Sequence, residues 1–418
     1  MYVAGRAEDD VKKEELGGFL FSLGTYKVNR ADSSVTGSVW GLARRKAIYR
    51  PGLGCTLVRD INEGELRKQH FILPTAYSNN ADSIPWPNGD LISDTFPKEL
   101  DRQLLNKAVD AAFAEPDKEY QRRTRAVLVL YDGQLVAEKY ATGFDKNSRM
   151  HGWSMAKSFA AALIGILIKE NKLSLDQPAP VAAWKNDGRQ NITIRNLLQQ
   201  MSGLDYREIY TGYSEVTNML FNKGDMAGYT MRRPSKYPPD SVFNYSSGNS
   251  NILSQIIRNT VGDNDYYRFP SDALFNRIGM RSAILEPDAS GTFVMSSYIF
   301  ATARDYARFG LLYYNNGKWD GQQLLPEGWV DASRTPAPTN PYHNYGFQFW
   351  TKGLDHHPPH KPNFPDVPSD LYYADGYANQ DIYIIPSKKL VVVRLGLTLD
   401  SSFDENEFLK GILKAIRE

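Results

Sequence analysis

Apolar and polar positions change period several times along this chain, and each change marks an element. The clearest is a helix: Phe159, Leu163, Ile166 and Leu167 recur at helical spacing between a polar start near Ser154 and Lys169-Glu170-Asn171-Lys172. Leu104–Phe113 has the same spacing, whereas Ala126–Leu130 and Leu135–Tyr140 flank Asp132-Gly133, a hairpin signal. Between about 176 and 300 the pattern breaks into short helical pieces (Ile194–Gln200, Val216–Phe221, Asn249–Thr260, Asp272–Ile278), and Tyr298–Tyr314 reads as one further helix. From Tyr345 strands return: Tyr345–Trp350, Gln380–Ile385 and Leu390–Leu395, the last two joined at Ser387-Lys388-Lys389. Phe408, Leu409, Ile412, Leu413 and Ile416 then line one face of a terminal helix that Ser401 or Ser402 can cap.

Strands near both ends of the sequence around a helical middle predict a mixed α+β fold. The expected form is an antiparallel sheet flanked by helices, with an inserted, mostly helical subdomain at about 176–300. Residues 1–98 differ in texture. They are Gly- and Ser-rich, with strand-like pieces at Gly18–Leu23 and Ser38–Tyr49, and they end in a polar tract, Asn79 to Asp94, that reads as loop or linker. They are read as an N-terminal extension of unknown role ahead of a main domain at 99–418.

Composition narrows the partners. The 418 residues are 42% hydrophobic and 23% charged, a globular balance. With 49 Lys+Arg against 48 Asp+Glu, the chain lacks the concentrated basic surface that nucleic-acid binding needs. The lone cysteine, Cys55, excludes an intrachain disulfide and any thiolate-rich metal site, and its setting reads as a buried strand entry. No cofactor or metal is expected. The apolar run Phe159 to Ile168 is too short to span a bilayer, and the first ten residues hold no apolar signal segment. The chain is expected to be soluble: periplasmic or otherwise exported if a leader has been removed, cytoplasmic if not. A small molecule is the expected partner, with a homodimer left open.

Three segments can carry chemistry. In His151-Gly152-Trp153-Ser154-Met155-Ala156-Lys157, Ser154 stands at a helix entry and Lys157 lies three residues on, on the same helical face. A serine hydroxyl needs a base to become a nucleophile, and a lysine serves only when burial or nearby cations favour its neutral form. Read alone, the pair is also a capping serine with a lysine on the first turn. In Asn244-Tyr245-Ser246-Ser247-Gly248-Asn249, Tyr245 precedes a helix where it can relay a proton, and Ser247 can orient the lysine or the substrate. In Ala374-Asp375-Gly376-Tyr377, Gly376 allows close backbone approach beside a backbone N–H suited to an oxyanion. The cluster Asp355-His356-His357-Pro358-Pro359-His360 reads as a solvent-exposed loop near the cleft, because the prolines oppose a helix that would align His356 with His360.

Taken together and in order, Ser154-Met155-Ala156-Lys157, Tyr245-Ser246-Ser247 and Ala374-Asp375-Gly376 resemble the three motifs of the serine β-lactamase and penicillin-recognising superfamily. The likeness covers about residues 120–418. It is closest to the class C-like branch of esterases, D-aminopeptidases, D,D-carboxypeptidases and 6-aminohexanoate-dimer hydrolases. The resemblance implies a β-lactamase/transpeptidase-like fold and an acyl-enzyme at Ser154. Lys157 would accept its proton, Tyr245 would help activate it and protonate the leaving group, and the N–H groups of Ser154 and Tyr377 would form the oxyanion hole. Two departures bear on substrate: Ser247 replaces the usual asparagine, and Ala374 replaces the lysine or histidine that meets a substrate carboxylate. The expected activity is therefore hydrolysis of a small ester or linear amide. A β-lactamase, a D,D-carboxypeptidase or penicillin-binding protein, and a sensor without turnover are the alternatives; Arg232 and Arg233 are the first candidates to replace the missing cation. Trp153, Tyr206 and Tyr210, the latter two with Tyr213 at helical spacing, are expected to line the cleft, together with Ala374, Asp375, Gly376 and Tyr377 as oxyanion-hole and substrate-binding residues.

Overall fold

The computed structural model describes residues 1–17, 23–74, 81–116 and 120–417. The strand expected at Gly18–Leu23 lies outside them apart from Leu23. Four strands, β1 (Gly24–Asn29), β2 (Ser34–Val39), β3 (Leu42–Arg50) and β4 (Gly54–Leu57), pair in sequence order as an antiparallel sheet. The stretch Ser38–Tyr49, expected as one strand, turns at Trp40-Gly41, where both residues take positive φ. This sheet rests on the middle of the chain. The Cys55 N–H donates to Glu286 Oε1 at 2.6 Å and the Thr56 hydroxyl to the Pro287 carbonyl at 2.7 Å. Burial pushes the Cys55 thiol up to about 12, so it stays protonated.

The main sheet takes strands from both ends of the sequence. In it β5 (Thr124–Tyr131), β6 (Gln134–Tyr140), β12 (Trp350–Thr351), β13 (Tyr372–Gly376), β14 (Gln380–Ile385) and β15 (Leu390–Gly396) run in the order β12-β13-β14-β15-β5-β6, antiparallel throughout. Period-2 alternation gives it two buried faces. Ala126, Leu128 and Leu130 face the central helix α2 (Ala156–Lys169) and α4 (Ala303–Tyr314). Val127, Val129 and Tyr131 face α1 (Arg102–Phe113) and α5 (Glu405–Leu413). In α2 every residue from Ala156 to Leu167 is buried, as expected of a helix that is apolar all round. Along the chain between α2 and α4 come short helices and α3 (Ser247–Val261). A small sheet of β7 (Met150–His151), β8 (Ile284–Leu285) and β9 (Ile299–Ala301), and the hairpin β10 (Lys318–Trp319) and β11 (Gln322–Gln323), complete the strands among the described residues. No helix among them is long and apolar enough to cross a membrane.

Four local expectations change. Tyr298–Tyr314 divides into β9 and α4, because the Thr302 side chain caps a helix that starts only at Ala303. Tyr345–Trp350 contributes a strand only from Trp350, after a left-handed Gln348. The terminal helix is capped by Asp404, which accepts from the Glu407 N–H, and not by Ser401 or Ser402. The segment carrying Tyr206, Tyr210 and Tyr213 is not helical; the next helix begins at Glu215, capped by Ser214. The end of the Asn79–Asp94 tract is loop, as expected, but strapped down. Arg308 of α4 donates to the Pro87 and Gly89 carbonyls and the Asp90 carboxylate, each at 2.7 Å.

Candidate active site

The entry to α2 is built from a strand end and a strained turn. Gly152 donates its N–H to the Ile299 carbonyl at 2.8 Å, which fixes the chain where β7 ends. Trp153 follows at φ 47°, a left-handed conformation that costs a bulky residue of order 1–3 kcal/mol and persists only when neighbours hold it. Its ring is packed by His151 at 4.0 Å and by the edge of Tyr377 at 5.5 Å. One 3₁₀ turn, Trp153–Met155, then presents Ser154. Side chains on a helix lean toward its N-terminus, so Lys157 reaches back. Its Nζ lies 2.9 Å from Ser154 Oγ, 3.1 Å from Ser247 Oγ and 2.8 Å from the Ser296 carbonyl.

Lys157 is 1% exposed. Burial lowers its pKa to about 8, against the opposing pull of Glu208 and Asp375. About one molecule in ten then carries a neutral Lys157 amine at pH 7.

Tyr245 also neighbours Ser154, whose side chain interacts with its phenol. Its ring centroid lies 4.9 Å from Lys157 Nζ. Gln200 organises the loop that carries it: Gln200 Oε1 accepts from the Ser246 N–H at 3.2 Å and from Asn249 Nδ2 at 2.8 Å, and its carbonyl accepts from the Asn244 N–H. Trp350 stacks on Tyr245 at 5.2 Å, and His356 stacks on the far face of Trp350 at 5.2 Å. Burial drives the Tyr245 phenol well above its ordinary value, which keeps it a neutral proton donor in the resting site.

The third segment is held against the first by the absence of a side chain. A Cβ on Gly376 would stand 2.2 Å from the Gly152 carbonyl oxygen, so glycine alone lets β13 approach the turn before Ser154. Tyr377 follows, 55% exposed at the rim. Ala374 is buried in the apolar core behind the cleft. Asp375 is placed differently from the sequence expectation. Alternation along β13 turns it to the sheet face that carries α5, where it meets Asp381 and Glu405, and burial raises it to about 7. Tyr206 is also away from the cleft, packed with Val216 and Met219 in a satellite core.

Two groups at the site escaped sequence reasoning. Glu208 lies in the non-helical stretch after Gly203; its Oε1 accepts the Ser247 and Tyr210 hydroxyls and its Oε2 accepts the Ser247 N–H at 3.0 Å. The Ser296 carbonyl is held through the Ser296 N–H, which donates to Asn251 of α3 at 3.1 Å. No periodicity or motif marks either one. Among the described residues, two groups of acidic and histidine side chains are close enough to share a cation: Asp355, His356 and His357, and Asp375, Asp381 and Glu405.

The family profile named Beta-lactamase matches residues 109–408, a span that holds Ser154, Lys157, Tyr245 and Gly376. The chain belongs to the beta-lactamase family. A 6-aminohexanoate-dimer hydrolase from Paenarthrobacter ureafaciens is 26% identical over 229 residues, covering 50% of this chain and 56% of that protein. The chain thus matches little more than half the length of this curated relative. Among solved structures, a candidate 6-aminohexanoate-dimer hydrolase from Bacillus anthracis superposes with a TM-score of 0.57 at 23% identity, over 82% of this chain and 86% of that one. A D-stereospecific amidohydrolase from a Streptomyces species gives 0.54 at 16% identity, over 74% and 98%. The latter two likenesses establish the fold, which is the mixed α+β, antiparallel architecture expected.

Within this family's frame, the candidate replacements for the missing cation are engaged elsewhere. Arg232 pairs with Asp225 at 3.6 Å; Arg233 donates to the Asp205 carbonyl and pairs with Glu215. His151 is packed between Trp153 and Phe300 with its Nε2 on the Ser297 carbonyl, and burial lowers it to about 4. It is a structural ring, not a base for Ser154.

Proposed function

We propose that the chain hydrolyses small esters or linear amides through an acyl-enzyme on Ser154, with the hydrolase formed by 99–418, its helical subdomain at about 176–300, and residues 1–98 as an extension docked on it. The observation that carries this reading is the buried Lys157 amine 2.9 Å from Ser154 Oγ. In acylation the Ser154 proton passes to the neutral Lys157 nitrogen as the Oγ–carbon bond forms. The N–H groups of Ser154 and Tyr377 receive the oxyanion. Collapse breaks the bond to the leaving group, which takes a proton from Tyr245, and Tyr245 is reprotonated from Lys157. Water then repeats the sequence on the ester and frees Ser154.

The substrate class follows from charge. Ala374 offers no cation, and Arg232 and Arg233 are paired with the carboxylates of Asp225 and Glu215. A substrate carboxylate would be buried without a partner, whereas an apolar acyl chain gains about 0.8 kcal/mol per buried CH₂. The test is a parallel screen of p-nitrophenyl esters, linear amides, D-amino-acid peptides and β-lactams, with Ser154→Ala as blank. Esters or linear amides should lead in kcat/KM. A tenfold lead for β-lactams or D-Ala-D-Ala peptides refutes the substrate reading, and activity surviving in Ser154→Ala refutes the acyl-enzyme.

A further inference from the structure

Three partners surround Lys157 Nζ, and they differ in what they can do. The Ser296 carbonyl only accepts. Ser247 Oγ would ordinarily accept or donate, but its proton is committed to the Glu208 carboxylate. It therefore also presents only lone pairs to Lys157, at 3.1 Å. The Glu208 carboxylate is itself fixed by the Tyr210 hydroxyl and by the Ser247 N–H, an orphan donor in the first turn of α3. A neutral lysine has two N–H groups and one lone pair. Ser296 and Ser247 take both N–H groups, and the lone pair is left for the Ser154 hydroxyl. If the Ser247 proton turned toward Lys157 instead, it would occupy that lone pair, and Ser154 would receive an N–H that cannot deprotonate it.

We propose that Glu208 is a positioning residue that, through Ser247, aims the lone pair of Lys157 at Ser154. The inference rests on the acyl-enzyme reading above and adds a residue to it. Glu208 also acts on Lys157 through space, in the opposite sense for rate, because its negative charge favours the ammonium. The neutral Tyr245 phenol, from the loop before α3, also faces Lys157, and Asp375 acts through space in the same sense as Glu208 from the far face of β13. Replacing Glu208 by glutamine removes the charge and lets an amide N–H donate to Ser247 Oγ. The acid limb should move to lower pH while the plateau falls, a combination that simple loosening of the loop does not produce.

The measurement is the second-order rate of Ser154 labelling by a fluorophosphonate between about pH 5.5 and 10, with peptide mapping and thermal melts. In the wild type the rate should rise through about pH 8. Glu208→Gln should lower the plateau at least about tenfold and shift the limb acidward. In a Ser247→Ala background the same change should still shift the limb but alter the plateau less than about twofold, since the relay is already cut. An unchanged plateau, an equal plateau loss in both backgrounds, or a plateau loss with an unmoved limb each overturns the proposal. If Glu208→Gln does not melt cooperatively, Ser247→Ala alone decides: a plateau within twofold of wild type overturns it and a tenfold fall supports it. A wild type that is not labelled at Ser154 overturns the acyl-enzyme reading as well; labelled wild type with failed variants overturns only the role of Glu208.

Discussion

Adding one methyl group to Gly376 should separate two parts of the site that the fold holds together. The new Cβ would stand 2.2 Å from the Gly152 oxygen, 3.1 Å from the Gln380 Cβ and 3.2 Å from the Gly152 carbonyl carbon. Ordinary contact distances are about 3.5 Å, so β13 and the turn before Ser154 must part by roughly 1 Å. The closest obstacle is backbone, and no flexible side chain can swing aside. Overpacking of this kind costs about 1–3 kcal/mol. The displacement lies one residue from Tyr377 and two from Ser154, the proposed oxyanion donors. Misplacement by about 1 Å, or loss of one such donor, costs about 10²- to 10³-fold in rate. Gly376→Ala should therefore lower kcat/KM for a p-nitrophenyl ester about 10²-fold or more, with the fall mainly in kcat. Steady-state kinetics would be paired with thermal melts so that only folded enzyme is counted. Gly188→Ala is the control, because a Cβ there meets nothing within 4 Å. Activity of Gly376→Ala within threefold of wild type at full folding would refute the coupling of Gly376 to the Ser154 turn.

Further expected outcomes concern the reacting groups and their support. Ester hydrolysis under kcat/KM conditions should rise with pH through about 8, because the reactive Lys157 is the deprotonated one; a flat profile from pH 6 to 9 contradicts the assignment. Ser154→Ala should melt within about 2 °C of wild type yet take no fluorophosphonate label, checked by intact mass. Trp350→Ala removes the ring held between Tyr245 and His356, and should cost about 2–3 kcal/mol in denaturant unfolding with kcat falling more than KM rises. Equal changes in kcat and KM would mean that the stack does not hold Tyr245.

What was legible in the sequence was whatever depends on near neighbours. Ser154 and Lys157 are three residues apart on one helix, so their meeting follows from helical geometry, and the Asp132-Gly133 hairpin follows from its turn chemistry. The side a residue faces was harder to read. Asp375 stands beside Gly376 in the sequence and so reads as part of the cleft, although strict alternation along β13 sends it to the opposite face. The Tyr206–Tyr210–Tyr213 spacing imitated a helix that Ser214 begins only afterwards. The break between β9 and α4 was marked by Thr302 with Asp305 three residues on, a capping signal outweighed by the apolar run around it. Glu208 carries no mark in the sequence. It reaches Ser247, 39 residues away, from an irregular segment, and only the folded chain brings the two together.

The burial of Lys157 also bears on what happens to such a chain when nothing selects for its reaction. Unfolded, the amine holds its proton up to about 10.5; folded, it releases it above about 8. Stability therefore climbs between those values, and below about 8 the fold carries the whole burden of the buried ammonium, roughly 3 kcal/mol. A mutation of Lys157 to an apolar side chain of similar length lifts much of that burden, less the cost of leaving the Ser296 carbonyl without its donor. Drift in a copy released from its chemistry would then run toward a better-folded, inert relative. A chain that still carries Lys157 keeps it against the pull of its own folding.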